Sequence, residues 1–264
     1  MIRLENIQVV FNRGTALEVN ALRGVTLDIP QGQFVTVIGS NGAGKSTLLS
    51  TLTGDVRPIL GHLTIDDEDV TRWSTARRAS LVSRVFQDPM IGTCADLTIE
   101  ENMALANSRG RQRGLRLALN KTYREEFRHH LSRLNLGLEN RLKDPMGSLS
   151  GGQRQAVSLL MAVLRPMKIL VLDEHTAALD PKTAEFVIKL TQEIVIERNL
   201  TTLMVTHSMH QALDVGHRTI MLHKGKVIYD AQSKQRQKLT IEDLLVLFKK
   251  ASGEEVDDDR LLLE

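Results

Sequence analysis

One cysteine, Cys94, stands in 264 residues, so no intrachain disulfide staples the fold, as suits a reducing cytoplasm. The chain must fold on its apolar content, 42% of its residues, which at this length suffices for a proper core. No export signal is expected, because Met1-Ile2-Arg3-Leu4-Glu5-Asn6 sets a carboxylate and an amide where such a signal needs its apolar stretch. No run reaches the roughly 18 apolar residues of a spanning helix. The richest stretch, Ser158 to Leu172, is broken by Arg165, Pro166 and Lys168, so any membrane role is expected to be peripheral. Neither sign of charge prevails: 34 Lys and Arg against 32 Asp and Glu leave a formal charge of +2. That balance gives no nucleic-acid footprint. The basic stretch of Arg109, Arg111, Arg113 and Arg116 reads as a solvated face, and the acidic Glu254 to Asp259 as a solvated tail. No internal repeat occurs, and every motif below occurs once, which excludes a tandem two-site chain.

What is present is an alternation of apolar strands and amphipathic helices. Phe34 to Ile38 is rich in β-formers, and Lys45 to Leu52 carries Leu48, Leu49 and Leu52 on one helical face. Ile169 to Leu172 and Thr202 to Val205 read as further buried strands, and Pro181 to Arg198 as an amphipathic helix. Polar residues follow the C-terminal ends of these strands, where open α/β sheets place their ligands. The class is therefore α/β with a largely parallel sheet. Leu4, Ile7 and Val9, then Leu22, Val25, Leu27 and Ile29, alternate with polar residues and predict a small antiparallel sheet at the N-terminus. Residues from about 89 to 166 show helical signals, at Ile99 to Ala106 and Thr122 to Leu134, and read as a helical insertion. Thr240 to Lys250 predicts a short amphipathic helix, for which packing is favoured over a regulatory contact, and Ser252 to Asp259 a flexible acidic link.

Gly39-Ser40-Asn41-Gly42-Ala43-Gly44-Lys45-Ser46 fits the phosphate-loop pattern in full, with a strand before it and a helix after it. The glycines let backbone N–H groups turn toward anionic phosphates, and the helix adds its positive end. Lys45 is placed to reach the β- and γ-phosphates, and the Ser46 hydroxyl to ligate Mg²⁺. Asp173 and Glu174 follow an apolar strand, the first as a carboxylate for Mg²⁺ and the second to polarise an attacking water. His207 ends the third strand and is a candidate γ-phosphate contact, although a lone histidine is more often structural. Gln87, just after Leu81 to Phe86, is a candidate Mg²⁺ ligand and nucleotide sensor.

Leu149-Ser150-Gly151-Gly152-Gln153 closes the helical insertion, with two glycines ahead of a helix and so a second set of N–H donors for an anion. With this loop the chain resembles the ATPase subunits of ABC transporters from about Ile2 to Asp230, every family motif standing in the expected order. The resemblance implies a phosphate-loop NTPase core with an N-terminal antiparallel β-subdomain and an inserted helical subdomain over 1–230, followed by a C-terminal helical extension and acidic tail over 231–264. It implies ATP and Mg²⁺ as cofactors. It implies a head-to-tail dimer, of this chain or with a similar subunit, in which Ser150, Gly151, Gly152 and Gln153 act on the nucleotide of the other copy. Phe11 matches the aromatic that stacks on adenine, Thr47 extends the phosphate loop, Asp180 lies in the D-loop Ala178-Leu179-Asp180, and His207 is the switch histidine.

The function so implied is ATP hydrolysis powering solute import at the cytoplasmic face of the inner membrane. Permease subunits would be bound through the Gln87 to Leu97 surface, where Pro89, Met90, Ile91 and Leu97 serve either as docking residues or as core. An extracytoplasmic solute-binding protein belongs to such systems; nucleic acid does not. His175-Thr176-Ala177 departs from the family's usual proline and serine after the acidic pair, and together with Leu159-Leu160-Met161 after the signature and Met204-Val205-Thr206-His207 at the switch it looks like a bacterial importer group of poorly known substrate, paired with permeases similar to those for branched-chain amino acids and ribose. Two rival classes remain. A soluble ABC ATPase of DNA repair or cluster assembly would share every catalytic residue, but repair members carry long coiled-coil or zinc insertions that are absent here, and a non-catalytic regulatory module would have damaged Lys45, Asp173, Glu174 or His207.

Overall fold

The computed structural model describes residues 1–110 and 118–252. Arg111, Arg113, Arg116 and the acidic stretch from Glu254 to Asp259 lie outside them. In chain order the elements are β1 (Ile2–Phe11), β2 (Val19–Ile29), β3 (Phe34–Gly39), α1 (Lys45–Thr53), β4 (Leu60–Ile65), β5 (Glu68–Asp69), α2 (Thr75–Arg78), β6 (Val82–Val85), α3 (Ile99–Asn107), α4 (Lys121–Ser132), α5 (Gly151–Val163), β7 (Ile169–Asp173), α6 (Pro181–Arg198), β8 (Thr201–Val205), α7 (Met209–Asp214), β9 (Arg218–His223), β10 (Lys226–Gln232), α8 (Ser233–Arg236) and α9 (Ile241–Ser252). They fall into two compact units, Met1–Arg78 with Val195–Glu264, and Ala79–Ile194.

In the first unit, β1 pairs antiparallel with β2 and β4, as the N-terminal alternation predicts. Ile2 lies opposite Ile29 and Leu4 opposite Leu27, all buried, so period-two patterning sets the register. β3 pairs in parallel with both β8 and β9, and β10 adds antiparallel to β9. β3 is buried at all six residues. Its one hydroxyl, Thr36 Oγ1, lies within hydrogen-bond reach of the carbonyls of Ala212 (3.0 Å) and Arg218 (3.2 Å) and so is not left unsatisfied in the core.

The C-terminal helix α9 is amphipathic and covers this unit's core. Leu244 and Phe248 are buried in one cluster with Ile38, Met209, Ala212 and Met221. Thr240 starts α9, its Oγ1 accepting from Asp243 N–H (3.1 Å) while the Asp243 carboxylate accepts from Thr240 N–H (2.9 Å). Just before it, Arg236 gathers the carbonyls of Ala212, Leu213 and Val215 at the end of α7. The extension is thus a packed and capped part of the fold.

In the second unit, β6 and β7 pair in parallel, Val82 opposite Ile169 and Val85 opposite Leu172. Between them lie α3, α4 and α5, which pack on one another and bury Met103, Phe127, Leu131 and Ala156. Thr98 opens α3 and Ser150 opens α5, each through a reciprocal capping box. Arg109, expected on a solvated face, instead turns its guanidinium inward. Its guanidinium is largely desolvated and donates to Ser83 Oγ and to the carbonyls of Ala162 and Arg165. Burial accordingly pulls its pKa below the ordinary arginine value. The side chain is a brace, because three inward carbonyl and hydroxyl acceptors outweigh its hydration.

Candidate nucleotide site and signature helix

The phosphate loop joins β3 to α1. A methyl group on Gly39 would sit 2.3 Å from the Leu222 carbonyl oxygen, and one on Gly44, at φ +102°, would sit 2.6 Å from the Ala21 carbonyl oxygen. Only glycine lets the loop turn this close to its neighbours. α1 begins without any side-chain cap, whereas Thr98, Ser150 and Ser208 cap α3, α5 and α7. The first turn of a helix leaves N–H groups without intrahelical acceptors, so an uncapped start offers its donors to an anion. Lys45 is buried at this point and its ammonium donates to the carbonyls of Gly39 (2.7 Å) and Ser40 (3.2 Å). A glycine-turned loop, an uncapped helix start and a buried ammonium together fit a polyphosphate. Ser40, Asn41, Gly42, Ala43, Ser46 and Thr47 lie in or directly after the same turn.

Also in the first unit, His207 lies two residues beyond the end of β8, after Thr206. Its neighbours are braced: Thr206 Oγ1 donates to Gln211 Oε1 (2.8 Å) and accepts from Ser208 N–H (3.1 Å). Ser208 then caps α7 through Gln211 N–H. Phe11 ends β1 opposite Val19 and is 39% exposed, as an aromatic offered to a ligand has to be.

In the second unit, Asp173 is the last residue of β7 and its carboxylate is paired with the Arg84 guanidinium of β6. Glu174 follows with φ +46°, a left-handed backbone uncommon for glutamate, held by Ala177 N–H donating to its carbonyl (3.0 Å). The strand therefore ends abruptly at the acidic pair. His175 turns inward, is buried, and meets Thr191 Oγ1 at 3.0 Å. Thr191 spends its own proton on the Val187 carbonyl (2.8 Å), so His175 Nε2 is the donor of that pair. Burial pushes the His175 pKa down to about 4, and the ring is neutral at ordinary pH.

Asp180 caps α6 by accepting from Thr183 N–H (3.1 Å), and its hydrogen bonds to Thr183, side chain and then backbone, hold its carboxyl below the usual range. Gln87 follows β6 and is exposed. The residue before it is anchored by Gln155, a fully buried side chain of α5 that donates to the Phe86 carbonyl (3.0 Å).

The signature residues form the start of α5. Ser150 Oγ accepts from Gln153 N–H and Gln153 Oε1 accepts from Ser150 N–H, both at 3.2 Å. The two glycines are not equivalent. A methyl on Gly152 would lie 2.0 Å from Thr183 Cγ2, whereas one on Gly151 would meet only Leu179 at 3.8 Å. Gly152 is needed for the close approach of α5 to the start of α6. Of the coupling candidates, Met90 and Ile91 are exposed and Pro89 and Leu97 are half-buried.

Four side chains that matter here carry no motif: Arg84, Gln155, Thr191 and Gln211. Only Arg84 leaves a trace in the sequence, as a charge set between the apolar Val82 and Val85.

As for metal, Asp173 and Ser46 are hard oxygen donors of the kind Mg²⁺ takes. Among the described residues no group of three or more His, Cys, Asp or Glu side chains could cage an ion alone.

Loop, helix and acidic strand end define a phosphate-loop nucleotide-binding protein. The family profile described as "ABC transporter" matches residues 22–177. A "Tyrosine transport ATP-binding protein" of Clostridioides difficile is 44% identical over 95% of this chain and 100% of its own length. A "Methionine import ATP-binding protein MetN 1" of Bacillus thuringiensis is 34% identical over 88% of this chain, which spans 66% of that protein. Among solved structures, the ATP-binding cassette MJ0796, in a dimeric post-hydrolysis state with ADP and Pi, superposes with a TM-score of 0.76 at 29% identity, over 88% of this chain and 98% of that one. The chain belongs to the ABC transporter ATP-binding family and is an ATPase of that type.

Proposed function

We propose that the chain is the subunit that powers solute import through a membrane permease. Residues 1–230 act as the ATPase and 231–264 as its extension. The observation that carries the chemistry is the uncapped start of α1 with Lys45 buried in its glycine turn. Transport is supported by the tyrosine transport relative, aligned over its whole length. Among the described residues no helix is long and apolar enough to cross a membrane, so solute passage falls to partner chains.

The assigned roles follow from chemistry at each position. Backbone N–H groups from Gly39 to Thr47 bind the β- and γ-phosphates, and the Lys45 ammonium neutralises them. Phe11 stacks on the base. Ser46, Asp173 and Gln87 are the oxygen donors for Mg²⁺, which when bound supplies charge neutralisation on the phosphates. Glu174, fixed by its left-handed backbone, orients the attacking water, and His207 contacts the γ-phosphate. Ser150 to Gln153 present the start of α5 to the nucleotide of a second subunit, with Asp180 at the start of α6, the helix on which Gly152 packs. A dimeric relative supports a two-subunit assembly. ATP then favours the closed dimer, and hydrolysis with product release reopens it.

Permease docking at the exposed Met90 and Ile91 places the protein peripherally on the cytoplasmic face. An extracytoplasmic solute-binding protein completes the system. The solute class is that of amino acids, supported by the tyrosine and methionine names of the relatives.

The test uses tagged Glu174→Gln chain, expressed in its own cells, as bait from detergent-solubilised membranes with ATP. The expected result is recovery of an integral membrane permease in stoichiometric amount. Recovery of the bait alone from the soluble fraction sinks the transport reading in favour of a soluble ABC ATPase.

A further inference from the structure

β6 is a short buried strand in which Arg84 sits between buried Val82, Ser83 and Val85. Its Nη2 donates to Asp173 Oδ2 across the parallel β6 and β7 pair, and the two side chains are only 15% and 13% exposed. The guanidinium also lies over the Phe86 ring, 4.7 Å from its centroid. The carboxylate assigned to the metal is therefore already engaged by a cation that belongs to the chain.

We propose that Arg84 is a built-in stand-in for Mg²⁺, holding Asp173 in the nucleotide-free chain and competing with the metal for that carboxylate. The proposal rests on the reading of Asp173 as the Mg²⁺ carboxylate. A carboxylate so desolvated is costly to leave without a counter-charge, and the guanidinium supplies one whenever metal is absent. When a divalent cation approaches the same carboxylate, the two positive charges repel, and little solvent stands between them to screen the repulsion. The Phe86 face gives the guanidinium a second favourable contact while its hold on Asp173 loosens. Arg84 thus keeps the acidic strand end paired between turnovers and raises the Mg²⁺ concentration at which nucleotide is held productively.

The experiment measures binding of a fluorescent ATP analogue to the full chain while free Mg²⁺ is titrated in a chelator-buffered series. Arg84→Met is expected to lower the Mg²⁺ midpoint by on the order of tenfold, with Arg84→Lys staying near the parent. A midpoint unchanged or raised in Arg84→Met overturns the proposal. Asp173→Asn separates this from the underlying assignment: if it leaves the Mg²⁺ midpoint of the parent chain unmoved, Asp173 is not the metal carboxylate and both readings fall.

Thermal unfolding keeps the question decidable if the methionine variant folds poorly, with Arg84→Gln as a second variant. Each variant should unfold at a lower temperature than the parent in chelator, and the gap should close when Mg²⁺ and ATP are added. A gap of equal size in both conditions identifies Arg84 as a structural brace only and overturns the proposal.

Discussion

His175 Nε2 donates to Thr191 Oγ1 at 3.0 Å inside the second unit, and both side chains are buried. A residue that breaks the family's usual sequence is thereby spent on tying the turn after the acidic pair to α6. Because Thr191 passes its proton to the Val187 carbonyl, the pair needs hydrogen on Nε2, and burial keeps the ring neutral.

Burial of this ring makes the fold acid-sensitive, because the charged form has no hydration there. The folded-state pKa of His175, about 4, lies below the ordinary value of 6.5. The unfolded chain therefore binds the proton first, so the contribution is fully present above pH 6.5 and fades as pH falls toward 4. The loss amounts to roughly 3 kcal/mol at the acid end. Urea midpoints measured from pH 7 to pH 4 should fall more steeply for the parent than for His175→Gln. Parallel curves would show that the ring does not stay neutral in the fold.

Gly152 faces Thr183 at a distance that leaves no room for a methyl group. Gly152→Ala is expected to cost about 1–3 kcal/mol from overpacking, read as a lower unfolding temperature. Thr183→Ser in the same chain should return part of that loss by removing the clashing Cγ2. Gly151→Ala, with only Leu179 at 3.8 Å, should change stability little.

Arg236 binds three carbonyls at the end of α7, the helix that begins just after His207. Arg236→Met takes this donor from the Leu213 and Val215 carbonyls, while the Ala212 carbonyl keeps the Thr36 and Thr219 hydroxyls, and should destabilise the chain by roughly 1–3 kcal/mol, measured by chemical unfolding. An unchanged midpoint would mean that α9 packing alone secures the extension.

Much of this molecule is legible in its sequence because its motifs are local. The phosphate loop, Asp173 and Glu174 at a strand end, and Ser150 at a helix start each lie within a few residues of the element that positions them. Alternation from Ile2 to Ile29 gives the antiparallel sheet, and Pro181 to Arg198 is the helix that its pattern predicts. What sequence does not display is pairing across distance. Arg84 meets Asp173 from 89 residues away, and Gln155 reaches Phe86 from 69. Arg109 looks like a member of a basic surface run until the carbonyls of Ala162 and Arg165 arrive beside it. The difference between Gly151 and Gly152 likewise exists only once α6 is in place.

The central claim is that each catalytic unit needs the phosphate loop of one subunit and the signature helix of another. The direct measurement mixes chains carrying Lys45→Ala with chains carrying Ser150→Arg and follows phosphate release from ATP. Each variant alone is expected to be inactive, while random pairing restores about a quarter of parental turnover through the one intact composite site of the mixed dimer. A mixture no more active than its separate components would contradict the account.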